Sequence, residues 1–388
     1  MLLNFHLPQY FSKKVREEIG ELYAHSAIGN LALAIVMLFE PIFLYNVLQF
    51  TINQVFMFMG VTYAVYIITI GWGGKLASFY GYKHAIAMSI PFQILYWLVL
   101  LASKESPNLA FVAAIAFGLQ KSLYWPAFHS LMARYMDQGQ VGREFGVVYA
   151  IISVCHIAGP FIGGFLAAKF GMAATFITAS IVFCCSIMPL FKAKEVFVPK
   201  LYQYKDTLKL YREYPRKFLG YLGFGEELIV LTIWPIFIYI VVKDYEKTGL
   251  LATAASFAAA IIAIIIGKIT DQYTKRILIK LGAFFSALVW LARLGATTIW
   301  NTLAIDTLSR TSKEMAFIPI STVTYIRAEN SHVVPYVVFF EQSLAIGKLL
   351  ACILGIIIFS IFSGISAAAG FVALFILGGL FSLLYMFI

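Results

Sequence analysis

The stretch GKLASFYGYK at residues 74–83 returns in altered form as GKITDQYTKR at residues 267–276, which is 193 residues further along the chain. A second match, PIFLY at residues 41–45 and PIFIY at residues 235–239, has an offset of 194 residues. Both offsets equal half the length of the 388-residue chain to within one residue. Separate matches at one offset indicate a duplicated unit, so we expect two similar halves.

The composition predicts that the chain lies in a membrane. Hydrophobic residues make up 61% of it and charged residues only 12%, whereas soluble domains have about 45–50% and about 25%. Too few polar side chains are present to cover a water-exposed surface, which excludes a soluble enzyme. The four cysteines lie in apolar runs, so they predict neither a disulfide framework nor a zinc site.

Apolar runs long enough to cross a bilayer, about 20 residues each, occur twelve times. We therefore predict an all-α membrane protein with twelve transmembrane helices in two pseudo-symmetric six-helix bundles. The predicted spans are residues 27–47, 54–73, 85–102, 109–132, 145–168, 172–190, 218–242, 250–266, 277–295, 302–326, 336–359 and 365–388.

The basic residues predict the orientation. With the N-terminus inside, cytoplasmic segments hold 20 Lys and Arg residues and outer segments hold five. This asymmetry places both termini in the cytoplasm. Residues 191–217 carry eight basic and three acidic residues; a nucleic-acid site is conceivable there, but we expect topology and attraction to lipid headgroups. The predicted organisation is an amphipathic lead-in at 1–26, bundles at 27–190 and 218–388, and a basic cytoplasmic linker at 191–217.

The repeated stretches resemble the loop signature of the major facilitator superfamily of secondary transporters. That signature is a glycine, three residues, an aspartate, a basic residue, a glycine and two basic residues. The resemblance implies that the aspartate locks a cytoplasmic gate by meeting a helix N-terminus of the opposite half. Asp271 fits this role, whereas Ser78 stands at the equivalent position and can only cap a helix, so we expect an asymmetric gate. The alternative is that both stretches are short loops with turn glycines. The predicted gate comprises Gly74, Ser78, Gly81, Lys83, Arg134, Gly267, Asp271, Lys275, Arg276 and Arg327.

The fifth span contains a glycine-rich element, Gly159, Pro160, Gly163 and Gly164. It resembles the Gly-Pro-x-x-Gly-Gly element of antiporters in this superfamily, although Cys155 replaces its leading glycine. Proline and glycine bend helices and permit close helix contacts, which favours a hinge. Ordinary close packing is the alternative.

Ten charged residues lie at least four residues inside the ends of predicted spans. Each costs about 2.5–3.5 kcal/mol near the centre of a lone helix. Eight of them are in the first, fourth, seventh and tenth spans, which the resemblance implies are the cavity-lining helices. With Tyr124, which could stack on a substrate ring or simply pack, they form the predicted substrate and proton cavity. These eight are Glu40, Lys121, Glu226, Glu227, Asp306, Arg310, Lys313 and Glu314.

The tenth-span charges share one helix face, because Asp306, Arg310, Lys313 and Glu314 have i, i+4, i+7 and i+8 spacing. Two interpretations stay open: the cations contact an anionic or polar group of a solute, or the four residues form a structural ion-pair ladder. Lys121 and Glu314 are 193 residues apart and therefore occupy equivalent positions of opposite charge.

The proton carriers are expected among the buried carboxylates. Glu40 has few cationic neighbours in its own helix, and we expect only one of Glu226 and Glu227 to face the cavity, because adjacent helical positions differ by about 100°. His129 and His156 are weaker candidates, since a lone histidine in a helix is usually a packing residue. Glu341 and Lys348 are expected to be structural, either as a pair or in contact with the tenth span.

The expected function is secondary transport of a small organic solute by alternating access, with proton-coupled export as the first hypothesis. Proton-coupled uptake of a sugar, nucleoside or organic anion is the second. A polytopic lipid-processing enzyme, a channel and a transport-dead scaffold are alternatives from other classes, but motifs for catalysis, metal binding or phosphate binding are missing. We expect no cofactor, no catalytic residue and no nucleic-acid partner. We further expect a monomer among membrane lipids, in a prokaryotic inner membrane.

Overall fold

The computed structural model describes residues 13–135, 141–192, 202–270 and 274–388. It describes their side chains at 20–134, 151–192, 202–262 and 274–388. These residues form helices joined by short turns, and the described part of the chain contains no strand.

The first part of the chain forms eight α-helices. A π-helical turn, Phe43–Val47, follows the second of them. The interruption near Glu40 has a local cause: Pro41 has no N–H to donate, so the backbone hydrogen bonds rearrange there. The helices are α1 (Lys13–Met37), α2 (Phe39–Ile42), α3 (Ile52–Tyr80), α4 (Tyr82–Ala102), α5 (Leu109–Tyr135), α6 (Val141–Phe170), α7 (Met172–Cys185) and α8 (Ile187–Lys192).

The second part begins with two short amphipathic helices and continues with six long ones. The six long helices consist mainly of apolar residues. They are α9 (Tyr204–Glu213), α10 (Pro215–Leu222), α11 (Gly225–Val242), α12 (Tyr245–Thr270), α13 (Lys275–Ala292), α14 (Ile299–Glu329), α15 (Val333–Ser363) and α16 (Ala367–Leu384).

Nine helical segments among the described residues are long and apolar enough to cross a membrane. The other three predicted spans coincide with α5, α12 and α14, which have 27, 26 and 31 residues. Lys121 lies within α5, and α14 carries Asp306, Arg310, Lys313 and Glu314, so these two helices are less apolar. The chain is an integral multi-pass membrane protein; twelve as the number of spans stays a prediction.

The first helix begins earlier than the first predicted span. Helix α1 begins at Lys13, and Leu22 and His25 are buried, so residues 20–26 are continuous with that span. The lead-in at 1–26 as a separate unit stays a prediction. His25 Nδ1 lies 2.8 Å from the carbonyl oxygen of Ser186 in the turn before α8. One continuous helix therefore runs from the predicted lead-in into the first predicted span.

The two stretches predicted as loops are mostly helical. Residues 74–80 are the last two turns of α3, and residues 267–270 end α12. Gly81 has a backbone φ of 101°, a conformation that favours glycine, and it forms the whole turn between α3 and α4. The loop prediction was wrong for residues 74–80 and 267–270, because Gly74 and Gly267 are accommodated within helices; residues 271–273 lie outside the described residues.

The bundle is built from two sets of helices that meet along two seams. Within the first set, α1 packs on α6 and α7, and α5 packs on α3 and α4. Within the second, α13 packs on α14 and α16, and α11 packs on α15. The seams are α3 against α15 and α6 against α12.

Helix α9 marks one end of the bundle, which we call the linker end; the opposite end is called the distal end. Tyr204 and Tyr211 of α9 both donate hydrogen bonds to Gln342 Oε1 of α15, over 2.9 and 3.0 Å. Gln342 Nε2 donates in turn to the backbone oxygen of Ile67 in α3, over 3.0 Å. At the linker end, one glutamine side chain therefore connects both sides of the α3–α15 seam to α9.

The distal end carries a different set of contacts between the two helix sets. Asn46 Nδ2 donates to the hydroxyls of Tyr239 and Tyr245, over 3.1 and 2.7 Å. Asn53 Nδ2 donates to Ser360 Oγ over 2.8 Å. Polar contacts thus join the two sets at both ends of the bundle.

Candidate functional site

Two adjoining cavities lie between the helix sets. One has a volume of about 300 Å³ and the other about 210 Å³. We call them the large and the small cavity. His156 of α6 and Glu227 of α11 line both, so these side chains stand between the two spaces. The large cavity is within the range of small-molecule sites, at its lower limit of roughly 300 Å³.

Glu40 and Lys121 both line the large cavity. Glu40 is 8% exposed, at the α2 turn created by Pro41. The Lys121 ammonium on α5 lies 4.1 Å from the centre of the Phe117 ring and 5.7 Å from that of Tyr63. Among the described residues, no oppositely charged atom lies within 4.0 Å of either group. Both charges therefore face the cavity without an ion pair.

Glu227 behaves differently, because two lysines hold it. Its Oε1 accepts from Lys313 Nζ of α14 over 3.1 Å, and its Oε2 lies 2.7 Å from Lys348 Nζ of α15. Each carboxylate oxygen thus has its own cation, which offsets the cost of placing all three charges in the bundle. The arrangement ties α11, α14 and α15 together.

Asp306 and Arg310 form the first pair of the predicted ladder. Arg310 Nε donates to Asp306 Oδ2 over 2.9 Å, and Trp234 Nε1 donates to Asp306 Oδ1 over 2.8 Å. Both residues of the pair line the small cavity, together with Lys313 and Glu314. The next cation along α14, Lys313, pairs with Glu227 of α11.

Glu226 lies outside the linings of these two cavities, which corrects its assignment to the predicted site. Its carboxylate accepts from Trp290 Nε1 over 3.2 Å and from Tyr385 Oη over 3.4 Å. The rotation of about 100° between adjacent helical positions turns Glu226 towards α13 and the end of α16, whereas Glu227 faces the cavities.

Arg293 was counted with the outer segments, yet it is only 1% exposed. Its guanidinium lies 3.4 Å from the centre of the Trp290 ring and 4.7 Å from that of Trp234, and it donates to Ser309 Oγ over 2.6 Å. Stacking on two indoles lets this cation enter the bundle. Trp290 is three residues before Arg293 and therefore on the same helix face. Trp234 and Ser309 lie on other helices, and the sequence alone does not place them beside Arg293.

A cluster around Glu341 was not expected. Glu341 Oε1 lies 2.9 Å from His129 Nε2, and Glu341 Oε2 accepts from the hydroxyl of Tyr66 over 2.7 Å. His129 Nδ1 is 2.6 Å from the Tyr325 hydroxyl. Of the two alternatives for Glu341 and Lys348, a mutual pair or a contact with the tenth span, the mutual pair does not form, since Lys348 pairs with Glu227 and Glu341 with His129. Only the folded arrangement brings α3, α5, α14 and α15 together here, and a lone histidine in the sequence could not indicate it.

Tyr124 lines the large cavity but is itself buried. Its ring stacks on Phe128, with centroids 5.4 Å apart, and meets the edge of Trp125 at 5.0 Å. The Tyr124 ring therefore packs mainly against neighbouring aromatic rings, and part of the side chain forms the cavity wall.

The predicted gate residues lie at the linker end where they are described. Ser78 Oγ donates to the backbone oxygen of Lys75 within α3 over 3.0 Å. A Cβ atom on Gly74 would lie 2.8 Å from Val338 of α15 and 3.2 Å from Tyr202, so the seam requires a small residue there. Gly81 forms the turn described above. Asp271 lies outside the described residues, and the surroundings of Gly267 are not described.

The basic residues of the predicted gate have varied surroundings. Arg134 Nε donates to the Tyr82 hydroxyl over 3.1 Å, and the Arg327 guanidinium lies 5.9 Å from the centre of the Tyr214 ring. Lys83 is buried. Lys275 and Arg276 are exposed at the start of α13.

The glycines of the predicted hinge are in tight contact with other helices. A Cβ atom on Gly159 would lie 2.4 Å from Ala34, and one on Gly163 would lie 2.1 Å from the Ile35 oxygen. One on Gly164 would lie 2.8 Å from the backbone oxygen of Tyr245. Pro160 lies inside α6 between them. These positions therefore allow α6 to touch α1 on one side and α12, across the seam, on the other.

Comparisons with known proteins agree on the family. Over 289 residues, the chain is 26% identical to the multi-drug resistance efflux pump PmrA of Streptococcus pneumoniae, covering 67% of this chain and 68% of that protein. It is 31% identical over 100 residues to the Na(+), Li(+), K(+)/H(+) antiporter of Planococcus maritimus, covering 24% of this chain and 23% of that protein.

A structural comparison gives the same fold. The crystal structure of the human organic anion transporter MFSD10 (TETRAN) superposes with a TM-score of 0.68, over 96% of this chain and 100% of that one, at 11% sequence identity. Residues 25–300 match the sequence family described as Major Facilitator Superfamily. Since this match spans well over half of the chain, the protein belongs to the Major Facilitator Superfamily of membrane transporters.

Proposed function

We propose that this transporter exports a small organic solute in exchange for protons. The observation that carries the proposal is the pair of charges in the large cavity that have no ion-pair partner, Glu40 and Lys121. A carboxylate in an enclosed cavity can bind either a proton or a cationic or polar group of a solute. Competition for one site makes the two ligands exclude each other, which is the basis of exchange.

The relatives support export over uptake. One is named as an efflux pump and another as a cation/H(+) antiporter. In this proposal the chain has twelve spans in two six-helix halves, at residues 27–190 and 218–388. The linker end is cytoplasmic, and the protein functions as a monomer in a bacterial inner membrane.

The proposed cycle alternates access between the two ends. The distal contacts of Asn46 and Asn53 and the linker-end contacts of Gln342 and Glu341 would break in turn. The gate residues around Ser78 and Asp271 would act with the linker-end contacts. The glycines of α6 would let α1 and α12 move past it as the halves rock.

The experiment is solute-induced proton movement in proteoliposomes that contain a pH-sensitive dye. Four solutes share a benzene ring: 4-(aminomethyl)benzoate, 4-(aminomethyl)benzamide, 4-(acetamidomethyl)benzoate and 4-(acetamidomethyl)benzamide. They are a zwitterion, a cation, an anion and a neutral compound. Under antiport, adding a transported solute outside makes the lumen more alkaline, because protons leave as the solute enters.

Two controls separate transport from leakage. Protein-free liposomes report passive movement of each solute, and Glu105→Gln changes an exposed carboxylate far from the cavity. Acidification of the lumen would instead establish symport, the runner-up. If none of the four solutes moves protons beyond the liposome control, the proposed exchange is wrong.

A further inference from the structure

The large cavity contains two opposite charges that the protein itself leaves without an ion pair. Glu40 is on α2 and Lys121 on α5, and the other described charged pairs near them are complete: Glu227 with its two lysines, and Glu341 with His129. An ionised group surrounded by apolar side chains is costly unless an opposite charge meets it. Glu40 and Lys121 attract each other only across the cavity, because neither has an opposite charge within ion-pair distance among the described residues. The space between them can therefore take a group of opposite charge at each end.

A solute with a single charge would satisfy only one of the two groups. A cation beside Glu40 would leave Lys121 uncompensated, and an anion beside Lys121 would share the cavity with the Glu40 carboxylate. A solute that carries both charges on one body satisfies both groups at once.

The cavity walls indicate what kind of molecular body should connect the two charged groups of the solute. Phe117 and Tyr63 lie beside the Lys121 ammonium, and Tyr124 and Trp125 belong to the same lining. Aromatic walls favour a flat apolar body. A volume of about 300 Å³ limits that body to a small one.

We propose that the large cavity binds a small zwitterionic solute with an aromatic body, its cationic group at Glu40 and its anionic group at Lys121. This inference rests on the exchange proposed above and names its substrate class. The cationic group displaces the proton from Glu40, while the anionic group keeps the Lys121 charge compensated. The other acidic, basic and histidine side chains that line the cavity are His129, His156, Glu227, Glu341 and Lys348, and its tyrosines are Tyr63, Tyr66, Tyr124 and Tyr325.

The test is binding to the purified full-length protein, measured by calorimetry with the four benzene derivatives and no membrane gradient. We expect 4-(aminomethyl)benzoate to bind at least about tenfold more tightly than each of the other three, because each of them leaves a cavity charge unpaired. Its affinity is expected to fall as the pH is lowered from 9 to 6, since protonation of Glu40 removes the negative charge.

Two variants assign the two ends of the solute. In Lys121→Met, the zwitterion should bind no better than the cation 4-(aminomethyl)benzamide. In Glu40→Gln, it should bind no better than the anion 4-(acetamidomethyl)benzoate, and its pH dependence should disappear. Lys209→Met, at a lysine exposed on α9, serves as the matched control and should keep the wild-type order.

The outcomes distinguish this inference from the proposed function. If the zwitterion binds no more tightly than its singly charged analogues, the substrate class is wrong, even where another solute still drives proton movement in vesicles. If the zwitterion binds as expected but moves no protons in vesicles, the substrate class stands and the exchange fails. Should Lys121→Met weaken all four compounds equally, Lys121 does not recognise a charge, and the inference is overturned; Lys121→Arg, which keeps the charge, then reports whether the fold is intact.

Discussion

Among the charges that line the two cavities, Glu40 and Lys121 before the linker are arranged differently from Glu227 and Asp306 after it. Glu40 and Lys121, on α2 and α5, face the large cavity without ion pairs. Glu227 and Asp306, on α11 and α14, are held by cations 2.7 to 3.1 Å away. Charges that are compensated inside the protein stabilise an arrangement, whereas uncompensated ones are available to a ligand. Under the proposed function, Glu40 and Lys121 bind the solute, and the ion pairs of Glu227 and Asp306 support the fold.

The largest expected effect is at Glu40. Glu40→Gln keeps the size of the side chain but removes the carboxylate, so solute-induced proton movement should fall about 100-fold or more to the protein-free level. The measurement is the initial rate of lumenal pH change in proteoliposomes. Glu105→Gln, the exposed control, should keep the wild-type rate, and coupled exchange that survives in Glu40→Gln would place the proton elsewhere.

The second prediction concerns stability on the other side of the comparison. Glu227→Gln leaves Lys313 and Lys348 without their shared carboxylate, which should destabilise the protein by about 2–3 kcal/mol, somewhat less than for a fully buried pair. Thermal unfolding in detergent measures this as a lower midpoint. Lys121→Met, which breaks no ion pair, should leave the midpoint within experimental error; equal losses in both variants would remove the distinction between the two helix sets.

A third, smaller effect is expected at the linker end. Gln342→Ala removes the side chain that joins α9, α15 and α3, so the populations of conformations should shift towards opening of this end. The distribution of distances between spin labels at exposed positions on α4 and α13 should broaden, and its mean should increase. Unchanged distances would show that this glutamine does not help to close the linker end.

The smallest effect is expected at the exposed pair Asp206–Lys209 on α9. The hydrogen bond from Lys209 keeps the pKa of Asp206 below its ordinary value. Such a group stabilises the fold above its unfolded-state pKa and loses that contribution as the pH falls through the folded-state value. Lys209→Met should leave transport and the unfolding midpoint at pH 7 unchanged, because exposed ion pairs contribute little. A clear drop in either would assign α9 a stronger electrostatic role.

Much of the fold followed from simple patterns in the sequence. Hydropathy predicted a membrane bundle, and the offset of 193 residues between residues 74–83 and 267–276 predicted a repeat. The ends of the helices were less well predicted, because helix α3 continues through Gly74 and Ser78 to Tyr80. Hydropathy detects where a segment becomes polar, not where its backbone hydrogen bonds end.

The site was predicted in part. Apolar surroundings identified Glu40, Lys121 and Glu227 as unusual, and the structure places all three on the large cavity. The partners were not predictable, because Lys348 and His129 meet their carboxylates across helices that are distant in sequence. Spacing within one helix says nothing about such contacts, so it could not decide whether Glu341 and Lys348 pair with each other or with another helix.

The most direct test of exchange at Glu40 is the number of protons released when the solute binds. Calorimetric titration of 4-(aminomethyl)benzoate in two buffers of different ionisation enthalpy gives this number at one pH. If solute and proton compete at Glu40, proton release should approach one per bound solute at pH values below the titration midpoint of the site. This release should disappear in Glu40→Gln. It should persist in Glu227→Gln. Binding without proton release at every pH between 6 and 9, or release that survives in Glu40→Gln, would contradict the central claim that the unpaired charges of the first helix set exchange a proton for the solute.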